Sequence, residues 1–381
     1  MTRTVLIAPD KFKGSLTAAE VAAALAAGLR SAGSDGSGTV HCELLPLADG
    51  GDGSVDAAVA FGFCRHSVTV TGPTGQSVHA TVAFDGVTAV VEVANTCGLA
   101  VLPGSALAPL DASSRGFGQA VRFALTLGPS RVVLALGGSS STDGGMGMLT
   151  ALGLQFLDNS GSLLEGTGRS LPRLHSVTGS LIPELDGVEL ILATDVHNPL
   201  HGPTGAAAVF GPQKGATPAE VSTLDAGLVH FASVLTDAGL ADPGLPHHPG
   251  AGSAGGIGFA CLLLGAKQVS GADYFLDLLD FDTRKDACDL VITGEGSIDE
   301  QTLAGKLPAA VARRSLGRPI VAVAGRSLLA REQWTEMSLT SVYALTDYTD
   351  KDSSKDPGLS AELLRVIGRE ISEDVLGMAR A

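Results

Sequence analysis

Apolar and polar positions follow two different periods along this chain. Thr4 to Ala8 is a short β-branched and apolar run ending at Pro9-Asp10, as a buried parallel strand does. Thr17 and Glu20 then form a T-x-x-E capping box, with Leu16 and Val21 at the two positions of a hydrophobic staple, so a helix starts here and runs to Gly33. Thr39 to Leu47 reads as a second strand, followed by Asp49-Gly50-Gly51-Asp52-Gly53 and a short helix from about Ser54 to Phe61. From about Arg65 the period becomes two. HSVTVTG and SVHATVAFDGVTAVVEV alternate, with turns at Pro73 to Gly75 and at Asp85-Gly86, which predicts an antiparallel meander.

A helix over 114–127 and strands over 131–136 and 188–194 follow, and Thr217, Pro218 and Glu220 open a long helix. The first pattern then returns. Asp289 to Thr293, Pro319 to Ala324 and Ser341 to Leu345 read as buried strands, and a last helix carries the stripe Leu363, Ile367, Ile371, Val375 and Met378. Residues 1–65 and 289–381 together supply five βα-type units, which suit a flavodoxin-like doubly wound parallel sheet in the order 2-1-3-4-5. Residues 66–288 are expected to form a second α/β domain inserted into it.

Composition narrows the function. The 381 residues are 45% hydrophobic and 17% charged, so the chain is globular rather than disordered. A net charge of −15 repels phosphate backbones and anionic lipid, so neither nucleic acid nor membrane is expected as a partner. No apolar run is long enough for a membrane span, and MTRTVLIAPDKFKG lacks a signal-peptide cleavage pattern. Five cysteines, odd in number and without a C-x-x-C pair, read as reduced thiols in a cytoplasm. Glycine is abundant at 50 residues, as in enzymes with glycine-rich loops.

Five segments can carry chemistry. Pro9-Asp10-Lys11-Phe12-Lys13-Gly14-Ser15 joins a strand to a capped helix, either as an anion site through Lys13, Ser15 and free N–H groups or as a plain connection. In Leu47 to Ser54, Gly50 and Gly51 allow close approach of a ligand and Asp49 comes directly off a strand, while Asp52 and Ser54 are candidates for helix caps. The loop Gly137-Gly138-Ser139-Ser140-Ser141-Thr142-Asp143 can form a nest of N–H donors around an anion. Asp195 ends an apolar strand as base, metal ligand or turn former, with Asn198 close behind and Lys214 further on; His197 reads as a surface residue. Glu295, in Thr293 to Thr302 with Lys306 beyond, leaves the third strand beside the first βα loop, at the topological switch point. Gly250 to Gly255 matches G-x-G-x-x-G but follows no strand, and G-x-x-x-x-G-K-[ST] is absent.

PDKFKGS, LPLADGGDG, GGSSSTDGG, TDVHNPL, FGPQKGAT, PGAGSAGG and VITGEGSIDEQTLAGK, in this order, closely resemble the bacterial glycerate kinase family, the two-domain kind without a P-loop. The resemblance runs from about residue 4 to 326. It implies ATP-dependent phosphorylation of D-glycerate, usually on the 2-hydroxyl, with ATP and Mg²⁺ as cofactors. In that chemistry Lys13 is a catalytic candidate that neutralises charge together with Lys214 and Lys306; Asp49 and Glu295 are candidates for Mg²⁺, and Asp195 for the base. Ser15, Gly50, Gly51, Gly138, Ser139 and Asn198 complete the expected substrate- or phosphate-binding set. The chain departs from the family pattern at Gly51-Asp52-Gly53-Ser54, commonly GEGT, at Thr142, commonly Asn, at His197, commonly Asp, and at Ser297, commonly Arg. Alternatives are a glycerate 3-kinase or other small hydroxy-acid kinase, an ATP-dependent ligase or phosphatase, and a ligand sensor without turnover. A monomer or homodimer is expected.

Overall fold

The computed structural model describes residues 2–31, 39–303 and 306–377. Gly33, Gly305 and Met378 lie outside the described residues. The strands are β1 (Thr2–Pro9), β2 (Thr39–Leu44), β3 (Cys64–Thr71), β4 (Ser77–Phe84), β5 (Thr88–Glu92), β6 (Arg131–Ala135), β7 (Leu154–Leu157), β8 (Ser176–Gly179), β9 (Glu189–Ala193), β10 (Lys267–Val269), β11 (Leu290–Ile298), β12 (Ile320–Ser327) and β13 (Ser341–Ala344). By contacts the chain divides into two units, one built from residues up to Asp49 and from Ala272 onward, the other from Gly50–Gly271.

The first unit holds a five-stranded sheet in the order β13-β12-β11-β1-β2, every neighbouring pair parallel. Read in chain order this is 2-1-3-4-5, the arrangement the strand periodicity called for. Val5, Ile7, Leu290, Ile292, Val321 and Val323 bury one face against Val21, Leu25 and Leu29 of the helix Ala18–Ser31 and Leu364, Ile367 and Ile371 of the helix Pro357–Asp374. These helices meet at glycines. A Cβ on Gly28 would stand 2.2 Å from the Arg365 carbonyl oxygen and one on Gly368 2.4 Å from that of Leu25, so any side chain there would force the helices apart. The Thr17 capping box forms as expected, Thr17 N–H donating to Glu20 Oε2 at 2.8 Å and Glu20 N–H to Thr17 Oγ1 at 3.2 Å.

The second unit is built on a six-stranded sheet in the order β10-β9-β6-β5-β4-β3. β3, β4 and β5 are the antiparallel meander; from β5 through β6 and β9 to β10 the pairing is parallel. Asp85 Oδ1 closes the β4–β5 turn by accepting from the N–H groups of Val87 and Thr88 at 2.8 and 2.7 Å, with Gly86 at φ 98°. The helix Pro218–Asp237 carries the capping box of Thr217 and Glu220 with Pro at its first position. β7, β8 and β10 went unread because runs of three or four residues carry no usable period.

The unit boundaries fall earlier than 65/66 and 288/289 at both junctions. The helix Ser54–Phe61 belongs with β4 and β5, its Val55 N–H donating to Glu92 Oε2 at 2.9 Å. The helices Gly271–Leu278 and Phe281–Asp286 carry Asp273 and Asp282, which pair with Arg313 and Arg314 of the helix Leu307–Arg314. A second correction concerns Glu295, expected in a loop. β11 continues to Ile298 because pairing with β12 extends through Glu295↔Ala324 and Ser297↔Arg326. Glycine permits it: a Cβ on Gly294 would meet the Val323 carbonyl oxygen at 2.2 Å.

Candidate active site

In the five-stranded unit three carboxylates gather beyond the ends of β1 and β2 and beside them on β11. Leu45 N–H donates to the Ile7 carbonyl at 2.9 Å and Leu47 N–H to that of Pro9 at 2.9 Å, carrying the β1–β2 ladder past the last residue of β2 toward Asp49. On the other side Asp10 N–H donates to the Gly294 carbonyl at 2.8 Å. Asp10, Asp49 and Glu295 are thereby brought to the switch point of the sheet. Burial, then the negative charges of Asp49 and Glu295, hold the Asp10 carboxyl well above the usual carboxylate range against the opposing pull of Lys11. Glu295 is pushed up to about 7, chiefly by burial; the Thr302 hydroxyl bond and Lys306 oppose this, and Asp299 and Asp49 add to it.

The first βα loop folds on itself, Phe12 and Leu16 exchanging N–H···O bonds of 2.8 and 3.0 Å. Lys13 is exposed there, its backbone nitrogen 3.4 Å from where a Gly296 Cβ would sit. Ser15 is drawn elsewhere: its hydroxyl donates to Ser360 Oγ at 2.8 Å, and Ser360 donates on to the Ser353 carbonyl at 2.8 Å, which fixes the loop to the last helix. Lys306 stands 3.9 Å from Asp299 at the start of the helix Leu307–Arg314 and lends positive charge to Glu295.

The six-stranded unit gathers the other predicted segments around an ammonium group. Lys214 is 2% exposed, and its Nζ donates to Ser139 Oγ at 2.9 Å and to the Ser141 carbonyl. Burial pushes it down to about 8, while Asp143 and Cys97 act to raise it. Asp143, fully buried, accepts from Ser114 N–H at 2.8 Å, Ser114 Oγ–H at 2.7 Å and the N–H groups of Gly145 and Gly147 at 3.2 Å each. Burial raises its carboxyl and those four bonds hold it down.

At Gly50 and Gly137 chain lies against chain. A Cβ on Gly50 would stand 2.7 Å from the Ala193 carbonyl oxygen, and one on Gly137 2.4 Å from Gly51 Cα. Gly138 adopts φ 80°. Asp195 follows β9, and one of its carboxylate oxygens accepts from the Gly271 N–H at 3.0 Å. Asn198 holds its own loop, Nδ2 donating to the Thr204 carbonyl at 2.8 Å, and its carbonyl accepts from Gly252 N–H at 2.9 Å. The G-x-G-x-x-G match is therefore packing: a Cβ on Gly252 would meet the Pro199 carbonyl oxygen at 2.2 Å and one on Gly255 that of Ser141 at 2.1 Å. His197 is exposed, as read.

Among the described residues no group of three or more His, Cys, Asp or Glu side chains can by itself hold a metal ion. The oxygen donors of Asp10, Asp49 and Glu295 nonetheless suit Mg²⁺, which is usually held by one or two carboxylates together with substrate phosphates. Burial, with the neighbouring carboxylates, raises Asp10 and Glu295, and a bound cation would favour their charged forms. Sequence reading missed Asp10, Asp143 and Glu92 as structural centres, although the first two lie inside quoted segments. Only the fold shows what they accept. It also missed Arg326, whose Nε donates to Ser297 Oγ at 3.1 Å from the neighbouring strand.

The family model described as "Glycerate kinase family" matches residues 5–371. The chain belongs to this family. It is 42% identical over 330 residues to glycerate kinase of Bacillus subtilis (strain 168), covering 84% of each chain. It is 40% identical over 329 residues to glycerate 2-kinase of Escherichia coli (strain K12), again covering 84% of each. The crystal structure of a protein assigned as glycerate kinase 2 from Salmonella typhimurium LT2 superimposes with a TM-score of 0.80 at 36% identity, covering 99% of both chains. The chain is thus an α/β kinase of the glycerate kinase family, and among the described residues no helix is long and apolar enough to cross a membrane.

Proposed function

We propose that this chain transfers the γ-phosphoryl group of ATP to the 2-hydroxyl of D-glycerate, giving 2-phospho-D-glycerate and ADP. The observation that carries the reading is 40% identity over 329 residues to a protein named glycerate 2-kinase. Both substrates are anions, and the net charge of −15 opposes them unless the field is reversed locally. Lys13, Lys214 and Lys306 supply that reversal, Asp49 and Glu295 are the hard oxygen donors read for Mg²⁺, and the fold adds Asp10 beside them. Bound there, Mg²⁺ would neutralise charge on the phosphates.

Asp195 is the proposed acceptor of the glycerate hydroxyl proton. The bond from the Gly271 N–H to one of its carboxylate oxygens orients the group, which a positioned base requires. Lys13 on the first βα loop is proposed to stabilise the transferring phosphoryl group; Lys306 and the glycine and serine positions 138 and 139 bind substrate or phosphate. The protein is proposed to act in the cytoplasm as a monomer or homodimer.

One assay tests the reading. ATP, Mg²⁺ and D-glycerate are coupled through enolase and pyruvate kinase, with and without phosphoglycerate mutase. Enolase acts on the 2-phosphate directly, so signal without mutase is expected. Signal that needs mutase would establish the 3-phosphate instead, and ligand binding without ADP release would establish a sensor.

A further inference from the structure

We infer that Ser139 is the anion-receiving hydroxyl of the six-stranded unit and that Lys214 acts through it as a positioning residue; the inference rests on the phosphoryl-transfer reading for its ligands. The hydrogen-bond polarity carries it. An ammonium group can only donate, so the 2.9 Å bond from Lys214 Nζ occupies a lone pair of Ser139 Oγ and leaves the hydroxyl proton to be given to something else. That proton has no acceptor among the described residues. A cation bonded to the oxygen also makes the O–H a stronger donor, an effect that grows in a dry interior.

The loop is rigid enough to aim the group. Leu99 N–H donates to the Gly138 carbonyl at 2.9 Å, Gly98 and Ser139 form a β-bridge, and Ser140 gives both its N–H and its hydroxyl to the Cys97 carbonyl at 3.1 and 2.8 Å. Lys214 then pins the loop through Ser139 and the Ser141 carbonyl. A buried ammonium without an ion pair is destabilising. Asp143 acts on it electrostatically and forms its own hydrogen bonds with Ser114, Gly145 and Gly147. An arriving anion would relieve the ammonium through Ser139, which is 5% exposed where Lys214 is 2% exposed. The chemistry selects an anionic oxygen, on the carboxylate of the hydroxy acid or on a nucleotide phosphate.

The test compares wild type with Ser139→Ala, Lys214→Met and the double variant by calorimetric titration with D-glycerate and with ATP, separately, and by steady-state kinetics. Ser139→Ala is expected to weaken one of the two ligands at least tenfold while kcat changes less. Lys214→Met should weaken the same ligand, and the double variant no more than the weaker single one, because the lysine has nothing left to act through. Which titration responds identifies the carboxylate or the phosphate. Unchanged affinity for both ligands in Ser139→Ala, or losses that add in the double variant, would overturn the inference. Should Lys214→Met fail to fold by circular dichroism and melting, Ser139→Ala decides alone. Because calorimetry reads binding without turnover, a wild type that binds in this way yet phosphorylates nothing would remove the functional reading and leave this one standing.

Discussion

In the five-stranded unit burial, and after it the neighbouring carboxylates, keeps Asp10 and Glu295 protonated well above the usual range. In the six-stranded unit a single ammonium lies buried with no ion pair among the described residues. One unit buries carboxylates and the other buries an ammonium. Structural ion pairs elsewhere in the chain are different: Arg313 with Asp273, Arg169 with Asp111 and Arg131 with Glu189 join opposite charges at 2.6–2.8 Å on exposed or half-exposed side chains. The lesson is that buried charge, rather than charge as such, separates candidate machinery from surface.

The largest effect is expected at Asp195. Asp195→Asn keeps the shape and removes the basic oxygen, so turnover should fall by about 10² to 10⁴ with ATP affinity nearly unchanged; recovery at high Mg²⁺ would make it a metal ligand instead. Asp49→Asn probes the acidic cluster and should raise the Mg²⁺ concentration for half-maximal rate by roughly tenfold or more, an equivalent of about 1.4 kcal/mol. An unchanged Mg²⁺ titration would take the cation away from this cluster. Lys13→Ala should lower turnover by about tenfold with the melting temperature retained, and an unaltered rate constant would leave its loop a plain connection.

The smallest effect is on stability. Lys214 has its folded-state value lowered from 10.5 to about 8, so between those pH values the unfolded chain binds more protons. The penalty of burying the charge is present in full below pH 8 and fades as pH rises toward 10.5. Measured against Lys214→Met, wild-type stability should therefore climb across that window in denaturant titrations. A flat difference would mean the ammonium is not buried in solution.

Much of this was legible from period and punctuation. The order 2-1-3-4-5, the meander and both capping boxes follow from alternation, apolar runs and T-x-x-E spacing, all of which are local. The segments holding the candidate residues were legible too, since glycine and acid cluster at strand ends. Their roles were not. Gly50 read as room for a ligand and lies against the Ala193 backbone; Ser15 read as a phosphate ligand and ties the loop to Ser360.

By itself the sequence determined the longer strands and helices, though not β7, β8 and β10, and its motifs in order determined the family. Tertiary structure decided which charges meet. Asp10, Asp49 and Glu295 are far apart in the chain and come together only because β1 pairs with both β2 and β11. Lys214 and Ser139 are 75 residues apart and meet at 2.9 Å. Secondary structure depends on neighbours within a few residues, whereas a pKa or a hydrogen bond depends on distance and burial, which no local pattern encodes.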